Sequence, residues 1–156
     1  YFGKKYDLSH IRSLECNDSV ITRVDTFKLL GVFFNRDLTW SHHVDFILKK
    51  AAKRIYFIYL LVKSGLKSSD VVSVYCSVIR SVLEYASPVW LPGLTIAQSK
   101  LIEGVQKRCL KIIFPELDYN DALFISGLQK LSVRRNIATR DLFNEIKTQI
   151  MCCTIC

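Results

Sequence analysis

The chain has 156 residues, about one ordinary domain, and its 50% hydrophobic content is ample for a core, which excludes a wholly disordered chain. Lys and Arg number 22 against 14 Asp and Glu, giving a formal charge of +8. That excess favours a partner rich in phosphate, either nucleic acid or an anionic membrane surface, with a merely solvated basic surface as the bland alternative.

No apolar run approaches the roughly 18 to 20 residues that cross a bilayer. The nearest, Ile55 to Val62, is far too short. The N-terminus, Tyr1 to Asp7, has neither an initiator Met nor the apolar centre of a signal peptide, so the expectation is a piece of something longer or an incomplete reading frame. Of the six cysteines, Cys16, Cys76 and Cys109 are widely scattered, and the last two sit in apolar helical settings that suit reduced, buried thiols. Cys152, Cys153 and Cys156 end the chain without a His or second CxxC to complete a zinc set; a frayed tail is expected, with palmitoylation as the alternative.

In chain order, Leu14-Glu15-Cys16, the turn residues Asn17-Asp18-Ser19 and Val20 to Val24 read as a small hairpin. Phe27 to Phe34 reads as a third strand, with Gly31 marking a bulge or a close backbone approach. Two or three strands cannot bury both faces alone, so this part must pack on the helices or, the reading preferred here, on residues upstream. Asn35-Arg36-Asp37 is turn chemistry. Leu38 to Ser41 places an apolar pair ahead of a hydroxyl that could cap a long helix.

That helix is predicted over 41–64: Val44, Ile47, Leu48, Ala51, Ile55, Ile58, Tyr59 and Val62 recur at three- and four-residue steps, and Gly65 stops it. Its other faces carry Lys49, Lys50, Lys53 and Arg54, two like-charged i,i+4 pairs that invite an anion. Ser68 or Ser69 can cap a second helix with Val71, Val74, Tyr75, Val78, Ile79, Val82 and Tyr85 inward, an Arg80–Glu84 pair, and Pro88 at its end. Ser87 to Gly93 holds two prolines around Trp90 and reads as a rigid connector. Thr95 can cap a third helix, with Leu101, Ile102, Val105, Cys109, Leu110, Ile112 and Ile113 inward and Lys100, Lys107, Arg108 and Lys111 outward, offset only by Glu103. Asp118 to Asp121 can cap a short helix closing near Gly127. Ser132 can cap a last one, Val133 to about Ile150, with Arg134, Arg135, Arg140 and Lys147 among its apolar residues. Short connections make this a mainly α chain, a helical bundle on a small N-terminal antiparallel β element.

The residues carry no visible reaction chemistry. Asp25, Asp37, Asp45, Asp70, Glu84, Glu103 and Asp121 are dispersed over cap and exposed positions and form no metal pair. His42 and His43 are adjacent, so on a helix they point about 100° apart and cannot jointly grip one ion. There is no GxSxG elbow, no GxxxxGK[ST] loop and no GxGxxG. Composition and spacing reach a basic, helical, nucleic-acid-binding module and stop there.

Four ordered blocks go further. Phe27-Lys28-Leu29-Leu30-Gly31-Val32 with Asp37-Leu38-Thr39-Trp40, His43-Val44 and Lys49 to Arg54; Tyr75 to Trp90; Ile102 to Ile113; and Tyr119 to Leu123 with Gly127 to Arg135 together resemble the C-terminal part of non-LTR retrotransposon reverse transcriptases, the jockey-like elements above all. The resemblance spans roughly Val24 to Phe143. It implies that residues 1–36 are the closing part of a polymerase palm, 37–115 a thumb-like bundle, 116–150 its helical extension and 151–156 a Cys-rich tail. It also implies a grip on an RNA/DNA template–primer duplex through backbone phosphates by some of Lys49, Lys50, Lys53, Arg54, Lys107, Arg108, Lys111, Arg134 and Arg135. The family's Tyr-x-Asp-Asp strand and earlier palm aspartate, which hold its Mg²⁺ ions, precede the matched region and do not occur in this sequence. No cofactor is therefore expected of this chain, nor primer extension by it alone. Two other readings remain: a non-catalytic helical protein–protein interaction module, and membrane association through basic helices and acylated Cys152 or Cys153.

Overall fold

The computed structural model describes residues 15–17 and 19–153, with side chains through residue 150. The chain is mainly α with a small antiparallel β element at its N-terminal side. Strands β1 (Glu15–Cys16) and β2 (Ser19–Val20) pair as a minimal hairpin, and Ile21 to Val24 lie outside any strand.

Phe27 to Phe34 is not one strand but two. Strands β3 (Thr26–Leu29) and β4 (Val32–Asn35) pair antiparallel with Leu29 opposite Val32, which leaves Leu30-Gly31 as a two-residue turn. Both turn residues have positive φ, 46° and 85°, the mirror-image turn whose twist matches that of the flanking strands. Gly31 is therefore the turn itself and not a bulge. β3 is exposed along its length, whereas β4 packs on the first long helix: Val32 belongs to the main core, and Phe34 lies against it. The helices cover the inner face of β4.

Helix α1 (Ser41–Lys63) is the spine, burying His43, Val44, Ile47, Ala51, Ile55 and Ile58. Ser41 is its first helical residue and not its cap: Trp40 takes that place with φ 58° and no side-chain capping bond. The end is as expected, because Gly65 at φ 80° sends its N–H to the Val62 carbonyl while Leu66 reaches that of Leu61, the paired closure of a Schellman motif. The second helix is α2 (Ser68–Tyr75), a π turn (Cys76–Arg80) and α3 (Ser81–Glu84), and neither serine caps it. Val71, Tyr75, Ile79 and Leu83, all fully buried, recur every fourth residue. Four residues overshoot a 3.6-residue turn, so such a stripe drifts by about 40° per step. The wider π turn absorbs that drift. This helix ends at Glu84, before Pro88, and Ala86 at φ 51° leads into the next turn.

Ser87 to Gly93 is folded into a helical turn α4 (Ser87–Trp90) and a 3₁₀ turn (Leu91–Gly93), with Ser87 and Trp90 buried. A Cβ on Gly93 would stand 2.3 Å from Trp40 Nε1, so the absence of a side chain there is what lets the Trp40 ring seat against this turn. Helix α5 (Ile96–Ile113) begins with the full capping box between Thr95 and Gln98. Helix α6 (Tyr119–Ser126) is capped by Asp118, whose carboxylate accepts from the Asp121 N–H, and closes on Gly127 at φ 65°.

Helix α7 (Leu131–Cys153) begins without Ser132 as its cap. Instead Glu103, on α5, receives the N–H groups of Leu131 and Ser132 at 3.3 and 3.2 Å and accepts the Tyr119 hydroxyl as well. The main core runs from Val32 to Leu131 and joins β4, α1, α2, α5 and the start of α7.

One buried polar node ties these helices together. Tyr75 donates to Gln106 Oε1 at 2.7 Å, and Gln106 Nε2 donates to the Tyr119 hydroxyl and the Gln129 carbonyl, both at 3.0 Å. Burial holds the Tyr75 and Tyr119 hydroxyls above the ordinary phenol range. Gln106→Leu keeps the volume but strands these partners, so it is expected to cost about 1–3 kcal/mol in thermal unfolding, more than Tyr75→Phe.

Candidate nucleic-acid interface

The nine cations singled out in the sequence do not form one surface. On α1, Lys49 and Lys53 are exposed on the side away from the core, and the 3.6-residue repeat continues their line through Tyr56, Leu60 and Lys63. Tyr56, Tyr59 and Leu60 are 62%, 48% and 40% exposed, and the Tyr56 and Tyr59 rings stack at 6.3 Å. Tyr59 is thus outward, a correction to the predicted apolar stripe, and Lys63 is an addition to it. No acid occurs between Phe46 and Gly65, so the face combines unopposed ammonium groups with ring faces.

Lys50 is exposed but turned toward the hairpin, its Nζ 6.0 Å from the Phe46 ring centre. Arg54 does something else: its guanidinium is half-buried and donates to the Val78 carbonyl, inside the π turn.

On α5, Lys107, Arg108 and Lys111 are exposed. Lys100, Lys107 and Lys111 share one line down the helix, with Arg108 about 100° round from Lys107. Lys107 stands 5.0 Å over the Tyr119 ring, and Lys111 donates to the Pro115 carbonyl at 2.6 Å. Glu103 does not offset them by contact, since its carboxylate is committed to Tyr119 and the start of α7.

The α7 pair is structural. Arg134 makes a two-pronged contact with Glu84, Nε to Oε1 at 2.7 Å and Nη2 to Oε2 at 3.1 Å. The predicted Arg80–Glu84 pair is also present, at 3.8 Å. Arg135 is wholly buried and donates to Ser99 Oγ at 3.1 Å; burial lowers its pKa. A guanidinium with no exposed surface cannot meet a phosphate on the outside, which removes Arg135 from the interface.

The two adjacent histidines separate as helix geometry requires. His42 is exposed with its ring edge-on to Phe33 at 4.6 Å, while His43 is 1% exposed between Trp40 and Trp90. Its Nδ1 accepts the Phe33 N–H at 3.4 Å, so the neutral ring carries its proton on Nε2. Burial, then His42 beside it, holds the imidazole below its ordinary 6.5. The unfolded chain takes up a proton first as pH falls, so the contribution of His43 is complete above about pH 6.5 and is lost as pH drops toward the folded-state value. Urea midpoints are expected to fall between about pH 7.5 and pH 5.5, and His43→Gln is expected to flatten that fall.

Among the cysteines, burial pushes the Cys109 thiol up to about 12 and raises half-buried Cys76, while Cys16 is exposed. The side chains of Cys152 and Cys153, and Cys156 itself, lie outside the described residues. Among the described residues no group of three or more His, Cys, Asp or Glu could hold a metal ion, and no helix is long and apolar enough to cross a membrane.

Fold and surface define a mainly α bundle with two cationic helix faces. Comparison with protein-family models, curated proteins and solved structures gives no match.

Proposed function

We propose that this chain is the closing palm hairpin and thumb region of an RNA-directed DNA polymerase of the non-LTR retrotransposon kind, and that it grips a template–primer duplex by its backbone phosphates. The observation that carries the reading is the outward face of α1, where Lys49, Lys53 and Lys63 stand among exposed aromatic rings with no carboxylate on that stretch of helix. The exposed cations of α5 add a second such face. The ordered blocks of sequence resemblance supply the polymerase class. The proposal concerns the grip: the resemblance assigns the chemistry to carboxylates outside the matched region.

Titration of an RNA/DNA duplex by fluorescence anisotropy at several salt concentrations tests it. Each neutralised phosphate contributes about −0.9 to the slope of log K against log salt, so five to six contacts predict a slope near about −5. Binding that ignores salt, or none at low salt, would remove the proposal.

A second reading has its own observation. Phe27, Leu29 and Leu30 leave the edge strand β3 and its turn apolar and 42%, 53% and 83% exposed, as a protein–protein module would require. Self-association that persists after charge reversal on α1 favours that reading.

A further inference from the structure

The turn between β3 and β4, the start of α1 and the helix α3 enclose a recess of about 380 Å³, lined among others by Lys28, His43, Phe46, Lys50, Ser81 and Tyr85. No carboxylate lines it. Lys28 Nζ lies 5.3 Å from the Phe46 ring centre and 5.4 Å from that of Phe33, and Lys50 Nζ lies 6.0 Å from Phe46, so both ammonium groups gather around one aromatic side chain. Among the described residues neither lysine is paired with an acid. Tyr85 fastens one edge by donating to the Leu30 carbonyl at 2.9 Å.

Two cations around one recess and no opposing acid describe a site short of negative charge. A phosphodiester supplies one charge, whereas a terminal phosphate carries nearly two at neutral pH together with three acceptor oxygens, which matches two ammonium groups. The recess falls in the size range of small-ligand pockets. We propose that it binds a terminal phosphomonoester, carried either by a free nucleoside monophosphate or by the 5′ end of a strand. This goes beyond the duplex grip: it lies on the hairpin side of α1 and uses a different set of lysines.

Calorimetric titration of the full chain with adenosine 5′-monophosphate, and with adenosine as the control lacking the phosphate, tests it. Saturable binding of the monophosphate with none of adenosine is expected, weakened at least about tenfold by Lys28→Gln and by Lys50→Gln. Both lysines are exposed, so thermal unfolding of the two variants should match that of the parent. Oligodeoxythymidylates of equal length with and without a 5′-phosphate then separate the sources. Tighter binding of the phosphorylated strand, lost in Lys28→Gln, assigns the strand end; equal binding assigns the free nucleotide. Equal affinity for adenosine and its monophosphate, or monophosphate binding that survives both substitutions, would overturn the proposal whatever the duplex titrations give.

Discussion

Trp90→Ala is expected to lower the free energy of unfolding by about 3–5 kcal/mol, read from urea or thermal denaturation. Trp90 is wholly buried, and it ends a continuous run of aromatic contacts from the hairpin into the bundle. Phe27 stacks on Phe34 at 5.2 Å, Phe34 meets Trp40 at 5.4 Å, Trp40 meets His43 at 6.4 Å and His43 meets Trp90 at 5.5 Å. Removing the indole opens a cavity at the inner end of that run. It also deprives the Tyr85 carbonyl of the Nε1 donor that reaches it at 3.0 Å, where α3 ends. Both losses act on the same joint, so the β element should loosen together with α3. Trp90→Phe keeps a ring in place while losing the donor and part of the volume, so its stability should fall between that of the parent and that of Trp90→Ala. Val89→Ala, one residue earlier and 48% exposed, should stay within about 0.5 kcal/mol. If Val89→Ala and Trp90→Ala cost the same, the aromatic run is not what joins hairpin to bundle.

Where a boundary is written in one or two local residues, the sequence is readable. Thr95 and Asp118 cap α5 and α6, and Gly65 and Gly127 close α1 and α6, because a hydroxyl or carboxylate beside free N–H groups and a glycine at positive φ act within one turn. What escaped reading was set by distant partners. The cap of α7 comes from Glu103, 28 residues before Leu131, and no scan of Ser132 could reveal it. Phe27 to Phe34 hid a hairpin because Leu30, not Asn or Asp, takes the first left-handed position of its turn. Arg135 looked like a surface cation because spacing records which helix face a residue occupies, not whether α4 and α5 cover that face. The α1 face was half legible. Lys49 and Lys53 stood out by charge, but Lys63 falls on their line only when the 3.6-residue repeat is carried three turns further.

Reversing Lys49, Lys53 and Lys63 to Glu together is expected to make duplex binding undetectable near physiological salt while leaving the helical circular dichroism unchanged. The three are exposed, and none fills the core, so the fold has little to lose. Lys49 and Lys53 already form a like-charged i,i+4 pair, and two glutamates in their place retain a repulsion of similar size, a few tenths of a kcal/mol. Each lysine that meets a phosphate should contribute about 0.9 to the salt slope, so the triple variant should lose nearly three units before repulsion is counted. Arg134→Gln makes the opposite case. It breaks the two-pronged contact with Glu84 and should lower stability, yet it should leave the slope where it was, because that guanidinium is committed to Glu84. A triple variant that binds like the parent would move the interface off α1, and Lys107→Glu with Lys111→Glu would then decide whether the outward line of α5 carries it instead.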